Sequence, residues 1–145
     1  MILLDAYALS ALLANEPAAE EVGTLIADGG TAVPAPNLAE TADRLARVHG
    51  IAVDRTRSAV EALEQSTDLH VRAVERSQAW RAAELRAKHY HRTNRPLSLG
   101  DCLLLAMSGE EDRVVTADPH VLATAAEEQI GWIALADSRG RRYSP

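Results

Sequence analysis

The chain contains no Phe, one Cys and one Lys, and aromatic residues make up only 3% of its 145 positions. Without Phe, the interior has to be filled by Leu, Val, Ile and the many Ala. A lone Cys102 excludes an internal disulfide and agrees with a reducing, cytoplasmic setting. Its neighbours Leu103 and Leu104 mark it as a buried, inert thiol rather than a nucleophile. Positive charge is scarce too: the formal net charge is -6 and the pI about 5.3. A molecule this acidic repels nucleic acid as a whole, so any such contact must be local. No long apolar run is present either. The start, MILLDAYALSALLA, lacks a basic segment and carries Asp5 within the apolar stretch, which argues against an export signal.

What is present is the balance of one soluble globular domain spanning residues 1–145: 47% hydrophobic and 25% charged residues, too short a chain for two domains and a linker. The basic residues, nearly all Arg, concentrate in Arg81 to Arg95 and in Ser138 to Tyr143. These runs read as a solvated helix face and a chain terminus in preference to a phosphate-binding patch. Short apolar runs, MILL, TAVPAP, LHVRA, RVVTA and GWIALA, predict five strands. LHVRA reads equally as an edge strand or as the lead-in to the next helix. Helical patterns lie between them, over Ala6 to Ala14, Pro17 to Asp28, Asn37 to His49, Asp54 to Gln65, Val74 to Arg92, Ser98 to Ser108 and Pro119 to Glu127. Strands alternating with helices predict an α/β fold with a mostly parallel sheet covered on both faces.

Four acids fall in informative places. Asp5 ends the first strand, Glu40 sits one turn into the helix after TAVPAP, Asp101 opens the helix after a Pro-containing loop, and Asp118 follows RVVTA. Each has a plain structural explanation. Asp118-Pro119 is an N-cap followed by Pro at the first helical position, Ser98 to Asp101 and Asn37 to Glu40 both resemble capping boxes, and Asp5 suits an N-cap. In a parallel α/β sheet, however, residues just past the carboxyl ends of strands gather at one crevice. Four carboxylates there would repel one another and raise their own pKa values unless a cation compensated. All-oxygen ligation suits Mg²⁺ or Mn²⁺, and such an ion serves phosphodiester hydrolysis. No Ser-His-Asp spacing, zinc motif, P-loop or GxGxxG competes with this reading. His89 and His91, at i and i+2 of a helix, point to different faces and read as surface histidines.

The strings LLDAYALSALL, VPAPNLAETADRL, LSLGDCLLLAMS and VVTADPHVL resemble, in order, the four acidic motifs of PIN domains, especially those of VapC-type toxins. The resemblance implies a three-layer α/β/α domain with a five-stranded sheet, dependence on Mg²⁺ or Mn²⁺, and endonucleolytic cleavage of RNA by an ion-activated water, leaving a 5′-phosphate and a 3′-hydroxyl. It places Asp5, Glu40, Asp101 and Asp118 as catalytic acids, Asp5 and Asp101 foremost as metal ligands, and Thr116 as a supporting hydroxyl. It also implies a homodimer held inactive by a VapB-type antitoxin that can place an Arg at the acids. The chain departs from the pattern where many relatives carry Ser or Thr after the first Asp, since Ala6 and Tyr7 stand there. Two rivals remain: a PIN ribonuclease in RNA processing with no toxin role, and a non-catalytic α/β binding module. A receiver domain needs a Lys after a late strand, whereas Lys88 lies within a predicted helix. A DxD phosphohydrolase needs an acid where Tyr7 stands.

Overall fold

The runs ILL, TAVP and RVVT form strands buried largely on both faces, which favours continuous hydrophobic sequence over alternation, whereas the edge runs LHVR and GWIA are part-exposed. A computed structural model describes residues 1–144. The strands are β1 (Ile2–Leu4), β2 (Thr31–Pro34), β3 (Leu69–Arg72), β4 (Arg113–Thr116) and β5 (Gly131–Ala134). They build one five-stranded sheet in the order β3-β2-β1-β4-β5, with every pairing parallel. LHVRA is therefore an edge strand, not a helix lead-in.

Seven helices connect the strands among the described residues: α1 (Ala6–Leu13), α2 (Ala19–Asp28), α3 (Ala35–His49), α4 (Val53–Ser66), α5 (Arg76–His89), α6 (Leu99–Ala106) and α7 (Pro119–Glu127). Successive strand residues point to opposite faces, and the core divides accordingly. Leu3, Ala32 and Val114 pack with α5, α6 and α7 through Leu85, Leu104, Leu105 and Val121. Leu4, Val33 and Val115 pack with α1, α2 and α4 through Leu9, Val22, Ile26 and Val60. This is the three-layer α/β/α arrangement. Leu supplies most of the largest fully buried side chains, as the lack of Phe requires.

Three details differ from the sequence reading. Strand β2 stops at Pro34, and Ala35-Pro36 already form the first turn of α3, where Pro is tolerated because no intrahelical bond is lost. Asn37 is thus inside the helix and is not its N-cap. Helix α5 ends at His89 rather than Arg92, because Tyr90 turns to extended backbone and His91 pairs with Arg95 in a short antiparallel bridge. His89 is not a surface histidine. It is buried, with Nε2 2.6 Å from Glu128 Oε1 and Nδ1 3.3 Å from Glu127 Oε2.

The basic runs are largely occupied in holding the fold. Arg81 donates to the carbonyls of Ala106 and Ser108 at the end of α6, Lys88 pairs with Glu128, and Arg95 with Glu127. In the terminal run, Arg141 pairs with Asp137 and Arg142 with Glu21. Cys102 is fully buried, and burial pushes its thiol pKa up, as expected of an inert thiol. Among the described residues no helix is long and apolar enough to cross a membrane.

Candidate active site

The carboxyl ends of the central strands bring the site together. Leu4 of β1 lies opposite Val115 of β4, so Asp5 and Thr116 emerge side by side. The Thr116 hydroxyl accepts the Asp118 N–H at 3.0 Å and lies close enough to the Asp5 carboxyl to favour its charged form, so it stands between the acids that follow the two strands. Asp101 comes from the first turn of α6. Glu40 comes from α3, and its carboxylate lies against the start of α6, 3.5 Å from the Ser98 hydroxyl that donates to it. An ideal Cβ on Gly100 would stand 2.5 Å from both Glu40 oxygens, so only Gly leaves the Glu40 side chain where it is. Sequence reasoning passed over Gly100, because a residue inside a capping box gives no hint of a neighbour from a distant helix.

The capping reading and the site reading use different oxygens. Asp5 accepts the Ala8 N–H at 2.6 Å through Oδ1. Asp101 accepts the Ser98 N–H at 2.7 Å through Oδ2, while Ser98 Oγ accepts the Asp101 N–H at 3.0 Å, completing the predicted capping box. Asp118 accepts the N–H groups of His120 and Val121 at 2.7 and 3.4 Å, both through Oδ1. Each Asp therefore commits one carboxylate oxygen to a helix start and keeps the other outside the cap. The Asn37 to Glu40 capping box does not form. Asn37 is fully buried instead, and neither its Oδ1 nor its Nδ2 has a hydrogen-bond partner. An unpaired buried amide costs about 1–3 kcal/mol.

Electrostatics set this group apart. Burial raises the Asp5 pKa from 3.8 to about 7, with Asp101 and Asp118 pushing further up and Thr116 and the Ala8 N–H holding it down. Burial also raises Asp101, with Asp118 adding to it and the Ser98 contacts and Arg86 opposing. Glu40 is raised by burial and then by Asp101. Among the described residues none of the four acids has a salt-bridge partner, whereas Glu16, Glu21, Asp112, Glu127, Glu128 and Asp137 all do. Arg86, the one cation acting on Asp101, is turned to the Leu97 carbonyl and stacks 4.3 Å from the Tyr90 ring centre.

Among the described residues no three acid, His or Cys side chains converge as a ready-made ion cage. The carboxylates feel one another across the crevice, while one oxygen of each Asp is aimed at backbone N–H groups. The donor set still fits a hard divalent ion: it is all oxygen, it is anionic beyond what nearby cations offset, and each Asp retains an uncapped oxygen. Tyr7, in place of the hydroxyl many relatives carry, is committed elsewhere, since its phenol donates to the Ala136 carbonyl at 2.9 Å. A groove of about 370 Å³ between α3 and α4, lined by Leu38, Val53 and Val60 among others, contains none of the four acids.

A family model described as PIN domain matches residues 2–128. Among solved structures, a toxin-antitoxin complex from Klebsiella pneumoniae matches with 17% identity and a TM-score of 0.63, over 85% of this chain and 91% of that one. FitAcB from Neisseria gonorrhoeae matches with 19% identity and a TM-score of 0.62, over 92% and 96%. FitAB bound to an IR36 DNA fragment matches with 18% identity and a TM-score of 0.64, over 92% and 94%. At these identities the likeness is one of fold. No curated protein matches in sequence.

Proposed function

The chain belongs to the PIN-domain family, whose members are generally nucleases, and from that premise we propose that it is an Mg²⁺- or Mn²⁺-dependent endoribonuclease and the toxin of a toxin-antitoxin pair. The observation that carries the nuclease reading is the group of mutually repelling carboxylates at the carboxyl edge of the sheet, which have no salt-bridge partner among the described residues. Asp5 and Asp101 would hold the ion, each through the oxygen its helix cap leaves over, with Glu40 and Asp118 completing the anionic wall. A bound divalent ion supplies a more acidic water and neutralises charge that builds on a phosphoryl oxygen.

The chain's own residues set the conditions. Burial holds the Asp5 carboxyl up at about 7, so to hold a cation at neutral pH Asp5 would have to be without its proton. Thr116 sits beside the Asp5 carboxyl and accepts the Asp118 N–H, so it stands between the two acids that follow β1 and β4. Ser98 and Gly100 hold Glu40 against α6. The uncompensated negative charge would repel an RNA backbone, so the substrate is admitted only with the cation present.

The toxin role is supported by a structural relative that is a toxin-antitoxin complex. The partner is then a VapB-type antitoxin, and an anionic crevice suits an Arg from it, because guanidinium binds carboxylate bidentately. A second copy of the chain completes the proposed assembly. Incubating purified protein with cellular RNA, with Mn²⁺ or with a chelator, tests the chemistry. Cleavage leaving 5′-phosphates only with Mn²⁺ supports it, and intact RNA with Mn²⁺ present contradicts it. Induction of the chain alone should arrest growth, and co-expression of the antitoxin should relieve the arrest. Harmless expression of folded, RNA-cleaving protein would favour an RNA-processing role.

A further inference from the structure

Asn37 is fully buried and, among the described residues, is the one side-chain amide whose donor and acceptor both lack a partner. Buried amides are ordinarily satisfied, so a double vacancy calls for a ligand that the protein atoms do not supply. Its place is informative. Asn37, Glu40 and Thr41 stand at i, i+3 and i+4 of α3 and share one side of the helix. The Thr41 hydroxyl fixes that side onto the first turn of α1, 3.2 Å from the carbonyl of Ala6, the residue after Asp5, and it also donates to the Asn37 carbonyl at 2.8 Å. The β1–β2 register pairs Leu3 with Ala32, so Asp5 and Pro34 leave the sheet as neighbours, and Asn37 follows within the next turn. Asn37 thus stands on the side of α3 that carries Glu40 and packs on the start of α1 after Asp5, one turn nearer than Glu40 to the strand end from which α3 starts.

Resting on the metal-dependent reading above, we propose that Asn37 is a positioning residue for the hydrated cation, its carboxamide hydrogen-bonding to water that the ion brings into the crevice beside Asp5 and Glu40. The chemistry is apt. Water ligands of a hard divalent ion are strong donors that Asn Oδ1 can accept, and Mg²⁺ keeps several of its waters when protein-bound. Nδ2, unpartnered among the described residues, would be free to donate to a second such water. Asn suits this place better than a fifth acid, because it supplies an acceptor without adding to the repulsion that already raises Asp5, Glu40 and Asp101. A hydrophobic side chain of similar size would fill the space and leave those waters without a partner.

The test is Mn²⁺ affinity, read by calorimetry, together with the melting temperature of the cation-free protein, for wild type, Asn37→Leu and Asn37→Asp. Outer-shell partners of metal ligands typically contribute 10- to 100-fold in affinity. The expected result is about a 10-fold or greater loss of Mn²⁺ affinity in Asn37→Leu, with the cation-free melting temperature unchanged or raised because an unsatisfied amide is gone. Asn37→Asp, which keeps the acceptor, should recover the affinity. Equal Mn²⁺ affinity in wild type and Asn37→Leu would overturn the proposal while leaving metal dependence standing. A lowered melting temperature with unchanged affinity would make Asn37 structural only. If folded wild type binds no Mn²⁺, this proposal and the metal-dependent reading fall together.

Discussion

Glu127 and Glu128, at the end of α7, are met by Arg95, Lys88 and His89, whereas Asp5, Glu40 and Asp101, at the carboxyl edge of the sheet, are met by no salt-bridge partner among the described residues. The electrostatic outcomes are opposite. The Arg95 hydrogen bonds hold Glu127 below the usual carboxylate range, and those from Lys88 and His89 do the same for Glu128. Burial and mutual repulsion lift the other three. The first group is electrostatically complete and ties α5 to α7. The second is incomplete within the chain, and that incompleteness is the ground on which the cation site is proposed.

The most severe way to break this contrast is to neutralise the open group. Asp5→Asn and Asp118→Asn should each abolish RNA cleavage, a loss beyond the roughly 10- to 100-fold typical of residues that only support metal ligands. Circular dichroism should show both folded, since an Asn oxygen can still cap the helix start. Full activity in both variants would end the metal-site reading.

Stability against pH should separate the two groups by sign. Asp5 has a folded pKa above its unfolded one, so the folded state holds the extra proton. Its contribution is fully present below about pH 4, declines as pH rises, and is lost above pH 7; the change is about 4 kcal/mol in the cation-free protein. Glu127 and Glu128, with lowered values, stabilise above the unfolded carboxylate range and lose that contribution on acidification. Urea denaturation of wild type and Asp5→Asn between pH 4 and 8 checks this, the variant being expected to show a shallower decline towards neutral pH, with Asp101 and Glu40 keeping the remainder.

Gly100→Ala should act more mildly. Its new Cβ meets the end of a flexible side chain, so Glu40 would swing away, the fold would persist, and cleavage would drop about 10-fold, the effect typical of a disturbed supporting contact. Smallest of all, Glu127→Gln removes an exposed ion pair from the completed group. A slight fall in melting temperature and unchanged cleavage are expected.

Much of this was legible in the sequence for identifiable reasons. Apolar runs broken by caps and Gly announced the parallel sheet, and acids just past strand ends announced the crevice. Asp5, Ser98 and Asp118 cap their helices as their residue types suggest. What stayed hidden depends on residues far apart in the chain. Pro36 read as part of an extended run, although its place within the first turn of α3 is equally compatible with Pro, and that concealed Asn37 as a buried amide behind an apparent cap. The contact of Gly100 with Glu40 and the ion pairs of His89 likewise join elements that no local pattern connects.

The central claim, that the open carboxylates constitute a cation site, is tested most directly by Mn²⁺ titration calorimetry at neutral pH on wild type and on the double variant Asp5→Asn, Asp101→Asn. Wild type should bind Mn²⁺ and the folded double variant should not. Equal binding by the two proteins, or none by folded wild type, would contradict the account.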